Sequence, residues 1–256
     1  MVADAELLAD LRERVLDESE SLTGLLRKCL ALGALTGSEA LRLWASRELK
    51  GYDDSSLEVP AYRKLRLPLY LDSISLSQII MRRQSVSRYQ APADAQDLIP
   101  ELVSFRTSID HLIGMAESGD TQQIRLESLK FAASKWNARQ DNDPQIIDLY
   151  YQVSDTAIGG ILGVVRTTLV EMVLDMAKDV PLHQLPTRRQ ADAAVHVHVG
   201  GSHDQYLVNV QDNSGVIGQG SAGTQAQHAG VPPSAGGQRL QRWGWIRRLL
   251  RGRVDT

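Results

Sequence analysis

The strongest constraint on this chain is an apolar series between residues 155 and 178. Ile158, Leu162, Val165, Leu169, Met172 and Met176 recur at steps of 4-3-4-3-4, a spacing that places side chains on one face of an α-helix. Ser154 stands where the N-cap of that helix belongs. A stripe of this length needs an equally long apolar partner. The same spacing describes a seam shared by two helices. Two occupants are therefore open: the chain's own core, which the reading favours, or a second copy, which would make 158–176 a homo-oligomer interface. The run is not read as a membrane span. Its most apolar part, Ala157–Val165, ends at Arg166, short of the roughly 18 uninterrupted apolar residues that a span requires. At the N-terminus Asp4, Glu6 and Asp10 interrupt the first apolar stretch, which does not fit an export signal. The expectation is a cytoplasmic protein.

Around that helix the pattern predicts more helices and a small sheet. Residues 4–35 read as one long amphipathic helix through Leu8, Leu11, Val15, Leu22, Leu25, Leu26 and Leu30, with Gly24 and Gly33 as its weak points. Thr36-Gly37-Ser38-Glu39 fits a capping box for a second helix, which buries Leu41, Trp44, Ala45 and Leu49 and stops at Gly51. Pro60 and Pro68 forbid a long helix over 52–90, and the alternation of Leu65, Leu67 and Leu69 suggests a short edge strand. Residues 95–117 read as helix through Leu98, Leu102, Phe105, Ile109, Leu112 and Met115. Residues 121–152 are mixed, with short strands at Ile124, Leu126 and Ile146–Val153 and a turn at Asp141-Asn142-Asp143-Pro144. The fold class is α+β, mainly α-helical.

Composition changes sharply near residue 181. Residues 200–237 contain 9 of the 20 glycines, with Asp204 and Asp212 as their only charged residues. Residues 238–256 carry six arginines and one aspartate, a net +5, so residues 1–237 carry −3 − 5 = −8. The expected organisation is a helical body over 1–180 and a Pro/Gly-rich linker over 181–237 with short strands at about 195–199 and 206–218. A basic Trp/Arg amphipathic helix over 238–256 follows. The single cysteine, Cys29, excludes an intrachain disulfide framework and any multi-cysteine metal site.

Residues 44–63 carry a distinctive pattern: Trp44-Ala-Ser-Arg-Glu48-Leu49-Lys-Gly51-Tyr52, then Val59-Pro60-Ala-Tyr62-Arg63. W-x3-E-L-x-G-Y followed by P-x-Y-R resembles the AbiTii domain of bacterial abortive-infection proteins. The helix Ile161-Leu162-Gly-Val-Val165-Arg166 with Leu169 resembles that family's C-terminal helix, and the likeness covers roughly residues 5–180. The resemblance implies a role in defence against phage, and other proteins of the same defence locus as partners. It brings no catalytic residues. On physical grounds Gly51 supplies a helix stop, Trp44, Leu49, Tyr52 and Tyr62 pack the following loop onto the helix, and Glu48 and Arg63 can pair. That loop-pinning reading is favoured over a ligand or catalytic cleft built from the same residues.

Other constellations are weaker. Arg106 and His111 have the R-x4-H spacing of the HEPN ribonucleases, in which arginine stabilises phosphate charge and histidine does acid–base work; the spacing also arises by chance in so arginine-rich a chain. His196, His198 and His203 could hold a metal, since His196 and His198 at i and i+2 would share one side of a strand as two ligands must, but a solvated strand face is the preferred reading, and neither metal nor cofactor is assigned. Residues 205–228 hold five glutamines and two asparagines beside Val216, Ile217 and Gln219. They loosely resemble bacterial amyloid signalling motifs and would self-associate by cross-β stacking, against a preferred linker reading. In the tail, Trp243, Trp245, Ile246, Leu249 and Leu250 fall opposite Arg247, Arg248 and Arg251, while Arg239, Arg242 and Arg253 fall on the apolar side; the pattern suits, in equal measure, an anionic membrane surface, nucleic-acid phosphates or the acidic body of another copy along 239–253.

Taken with the role that the AbiTii resemblance implies, the expectation is a component of anti-phage defence that acts through protein interaction and self-association, at the inner membrane face if the tail binds lipid. The alternatives are a toxic effector enzyme, most plausibly a nuclease, and a passive adaptor. Whether it is an enzyme stays open at this stage.

Overall fold

In the computed structural model the described residues are 2–54, 56–139, 144–181 and 184–200, and all belong to one compact unit. Three helices open the chain, α1 (Val2–Arg14), α2 (Leu22–Thr36) and α3 (Glu39–Lys50). Strands β1 (Lys64–Leu65), β2 (Leu69–Ile74) and β3 (Ile80–Val86) follow, then α4 (Ala93–Gln96), β4 (Val103–Ser104) and α5 (Ile109–Glu117). The remainder is β5 (Gln122–Ile124), α6 (Glu127–Ala138), β6 (Gln145–Val153), α7 (Asp155–Ala177) and α8 (Arg188–Val195). The fold is α+β and mainly helical.

Helix α7 is the spine. Ser154 caps it, accepting from the Ala157 amide at 3.2 Å. Ile158, Val165, Leu169, Met172 and Met176 are buried and Leu162 is half-buried. The helix packs on α1, α5, α8 and the turn at residues 61–63, so the apolar seam is filled by the chain's own core. By length and composition α7 could also cross a membrane, but its buried residues face this core.

The N-terminal stretch is two helices, not one. The break falls at Val15–Ser21, where Asp17 accepts from both the amide (2.9 Å) and the hydroxyl (2.7 Å) of Ser19. Such a side-chain turn competes with helix continuation, and Ser21 then caps α2 through the Gly24 amide. Gly24 and Gly33, the suspected weak points, lie inside α2. A Cβ on Gly33 would sit 2.9 Å from the Arg42 amide nitrogen, so this glycine lets α3 approach. The expected cap at Thr36 is also displaced. Thr36 ends α2 with its hydroxyl on the Leu32 carbonyl at 2.8 Å, Gly37 turns the chain at φ +70°, and Ser38 caps α3 through the Leu41 amide.

Four antiparallel strands form one sheet in the order β3-β2-β6-β5, and β1 pairs with β4 apart from it. The expected edge strand near 65–70 is therefore corrected. Leu65 belongs to the small sheet, and Leu69 begins an interior strand whose Leu69, Leu71 and Ser73 face the core. The predicted helix over 95–117 is three pieces, because Pro100 and the cap residue Ser108 interrupt it. Phe105, Ile109, Leu112 and Met115 are buried as expected, from different elements. Helix α6 was not foreseen; it lies in the stretch read as mixed, and buries Leu129, Ala132 and Trp136. The turn at Asp141–Asp143 is outside the described residues.

The folded body also runs beyond residue 180. Thr187 and Gln190 form a capping box for α8, which buries Ala191, Ala194 and Val195 against α7, α3 and α2. Ser38 donates to Asp192 at 2.6 Å, tying α8 to the start of α3. The strand expected at 195–199 is instead the end of α8 and one π-helical turn, His196–Gly200. The strand expected at 206–218 and the tail over 238–256 lie outside the described residues. Ala191→Asp should bury an unpaired carboxylate and cost about 3–5 kcal/mol. Hydrogen exchange should show lost protection at the 188–195 amides; unchanged protection would place α8 outside the core.

Candidate functional site

The site begins with helix periodicity. Trp44 and Glu48 are four residues apart on α3, so both project from the face that also buries Leu41 and Ala45. Glu48 is fully buried. A carboxylate there requires a counter-charge and a hydrogen bond for each oxygen, and residues 51–63 supply most of these.

Gly51 makes the return possible. It adopts φ +98°, and a Cβ would lie 2.7 Å from the Arg106 carbonyl oxygen, so no other residue fits without displacing backbone. Its amide closes α3 on the Arg47 carbonyl at 2.8 Å, and the next amide, Tyr52, bonds the Arg106 carbonyl at 2.7 Å. The chain then folds back. The Tyr52 hydroxyl donates to Glu48 Oε1 at 2.7 Å. Pro60 opens the single turn that positions Tyr62 and Arg63. Tyr62 donates to the same Oε1 at 2.9 Å and accepts from Trp44 Nε1 at 2.9 Å.

Arg63, fully buried, occupies the other oxygen. Its Nε and Nη2 donate to Glu48 Oε2 at 3.0 and 2.6 Å. Nη1 reaches the carbonyls of Phe105 (3.1 Å) and Thr107 (2.7 Å), and the guanidinium lies 5.1 Å from the centre of the Tyr52 ring. Burial raises the Tyr52 and Tyr62 hydroxyls well above the ordinary phenol range, and the charge on Glu48 pushes them further. Both phenols thus stay protonated and donate. The result is a closed network in which one carboxylate and one guanidinium fasten α3, the 51–63 segment and the 103–108 loop together.

Sequence reasoning brought these residues together and also proposed their loop-pinning role. Leu49 is only half-buried, packed at the margin of the core. The reading missed the Phe105 and Thr107 carbonyls, since backbone acceptors leave no mark in residue types. It also missed the role of Arg106. That side chain donates to the carbonyls of Tyr52 (2.8 Å), Asp54 (2.9 Å) and Leu57 (3.0 Å), bracing the loop. Arg106 lies in a loop and the exposed His111 lies in α5, so the two do not share one helix as the spacing suggested. His196 and His198 share the π-helical turn, not a strand. His198 sits 2.6 Å from Asp175 and 3.3 Å from Glu171, and His203 is outside the described residues. Among the described residues no group of three or more His, Cys, Asp or Glu is arranged to hold a metal ion. Val216, Ile217, Gln219, Trp243, Trp245, Arg247, Arg248 and Arg251 also lie outside the described residues.

Two measurements test the network. Trp44→Ala should lower stability by about 3–5 kcal/mol as a core truncation, read as a lower denaturation midpoint. Stability should also fall at alkaline pH. The Tyr52, Tyr62, Tyr151 and Cys29 groups are all raised by burial, Tyr151 and Cys29 to about 12. The unfolded chain therefore releases these protons first, and stability is full below about pH 8.5–10 and declines above it. Tyr52→Phe should make that decline shallower; an identical alkaline profile would contradict the assignment.

The AbiTii family profile matches residues 6–198, a range that includes α8 and nearly all of the described body. No curated protein and no solved structure matches the chain. The matched range contains the whole Trp44–Arg63 network and the helices it fastens, and the chain belongs to the AbiTii family, whose domain suggests a part in abortive-infection defence.

Proposed function

We propose that the chain acts in abortive-infection defence through interaction and assembly, with the helical body as a scaffold and the region after residue 200 as the segment that engages partners or further copies. The observation that carries this reading is the closed Glu48–Arg63 network. The polar side chains of the 44–63 motif are directed at one another and at backbone carbonyls, so they hold the fold and present no reactive group to a cleft. Arg106 is likewise occupied with three carbonyls. The Gln- and Gly-rich residues 205–228, with Asp212 as their one charge, and the basic residues 239–253 are chemically suited to homotypic stacking and to anionic partners.

A toxic nuclease built on Arg106 and His111 is the competing reading, and the two separate experimentally. His111 is exposed, so His111→Ala should leave folding intact. In cells challenged with phage, the full chain and His111→Ala should protect equally. Val216→Asp, Ile217→Lys and a chain ending at residue 200 should each lose protection while remaining folded. Loss of protection in His111→Ala, with the C-terminal variants unaffected, would reverse the conclusion in favour of the enzyme.

A further inference from the structure

The β2–β3 hairpin ends in a feature that neither the core nor the network explains. Its tip is apolar and exposed: Leu76 is 79% accessible, Ile79 55% and Ile80 49%. The turn is well ordered by its own bonds, Ser75 amide to Ile79 carbonyl at 3.1 Å and Gln78 amide to Ser75 carbonyl at 2.8 Å, with Gln78 at φ +58°. Three large aliphatics held at a tight turn expose apolar surface that folding alone would bury or replace.

Charge on the same hairpin identifies what meets this surface. From Ser73 to Ala93 the sequence contains Arg82, Arg83 and Arg88 and no acidic residue; Asp72 on β2 accepts from the Arg83 amide at 2.8 Å and Arg88 lies 3.9 Å from Glu101, which leaves Arg82 and Arg83 as the cations nearest the tip. Arg82 and Arg83 are exposed on β3, next to the tip, and neither guanidinium is in an ion pair among the described residues. We propose that this tip is a contact site for an anionic lipid surface, in which Leu76, Ile79 and Ile80 enter the headgroup boundary and Arg82 and Arg83 meet lipid phosphates. This proposal does not depend on the function proposed above.

Other occupants fit less well. Strand addition along β3 is obstructed by a bulge, where the register passes from Leu71↔Gln84 to Ser73↔Met81 and Arg83 adopts φ +53°; bulges and edge charges are the usual guards against such pairing. A second copy docked antiparallel on the same edge would oppose arginines with arginines. Single-stranded nucleic acid calls for aromatic faces on which bases stack, and the tip is aliphatic.

The test is co-sedimentation of the full chain with vesicles of phosphatidylcholine containing phosphatidylglycerol, and with phosphatidylcholine alone. The wild type should bind the anionic vesicles and not the neutral ones. Leu76→Ser/Ile79→Ser/Ile80→Ser and Arg82→Glu/Arg83→Glu, both with the tail intact, should each weaken binding by about tenfold or more. A fluorophore on Leu76→Cys, attached selectively because Cys29 is fully buried, should shift to the blue with anionic vesicles; this readout does not depend on the fold of the multiple variants. Equal binding by wild type and both variants, or an unmoved fluorophore, would overturn the proposal. So would a change in oligomeric mass in the variants without lipid, which would make the tip a copy–copy contact, or selective loss of single-stranded RNA binding.

Discussion

The buried Glu48–Arg63 pair is the interaction on which the arrangement of this body depends. Removing two charges from water is expensive, and their mutual attraction offsets the loss only when every remaining donor and acceptor finds a partner. Here each part is met. Two phenols satisfy one carboxylate oxygen, two guanidinium nitrogens satisfy the other, and two loop carbonyls take the third nitrogen. The pair therefore functions less as a source of net stability than as a geometric condition. Helix α3, the 61–63 turn and the 103–108 loop can close only in one register, because any other leaves a charge buried alone.

That condition propagates outward. The turn that presents Arg63 also packs on α7, and the loop that accepts from Arg63 leads directly into α5, which packs on α7 from another side. Immediately after Arg63 come Lys64 and Leu65, which pair with Ser104 and Val103. Thus a two-residue strand pair, too short to be stable by itself, is held in place by an ion pair at one end and by the core at the other. Arg106 adds a second fastening, donating to the carbonyls of Tyr52, Asp54 and Leu57 in the segment between α3 and β1.

How much of this the sequence disclosed depended on the range of the interaction. The α7 stripe was legible because one face of one helix carries the whole signal. The 44–63 motif was legible because its residue types are unusual together: a tryptophan, a glutamate and an arginine among apolar neighbours, with a glycine at the reversal. The stretch from 95 to 117 misled because apolar residues drawn from a short helix, a strand and a second helix mimic one helical period. Pro100 was the contrary signal, and burial from three elements reproduced the pattern by coincidence. Val195-His196-Val197-His198-Val199 alternates as a strand would, but the capping box upstream starts a helix and the burial of Ala191, Ala194 and Val195 sustains it. Tertiary packing here overrides β propensity. Backbone acceptors such as the Phe105 and Thr107 carbonyls have no residue signature at all.

The choice of arginine at 63 follows from the same geometry. Five donors in a rigid plane can serve a carboxylate on one edge and two carbonyls on another, whereas an ammonium offers three donors around one point. The planar group also lies over Tyr52, so the ring that donates to Glu48 also covers the cation that pairs with it. Motif positions constrained in this way are fixed by folding, whatever the body binds. At the β2–β3 tip Leu76 is 79% accessible and lies outside the core. An exposed aliphatic is therefore more informative about contacts with other molecules than a buried residue whose identity the fold dictates.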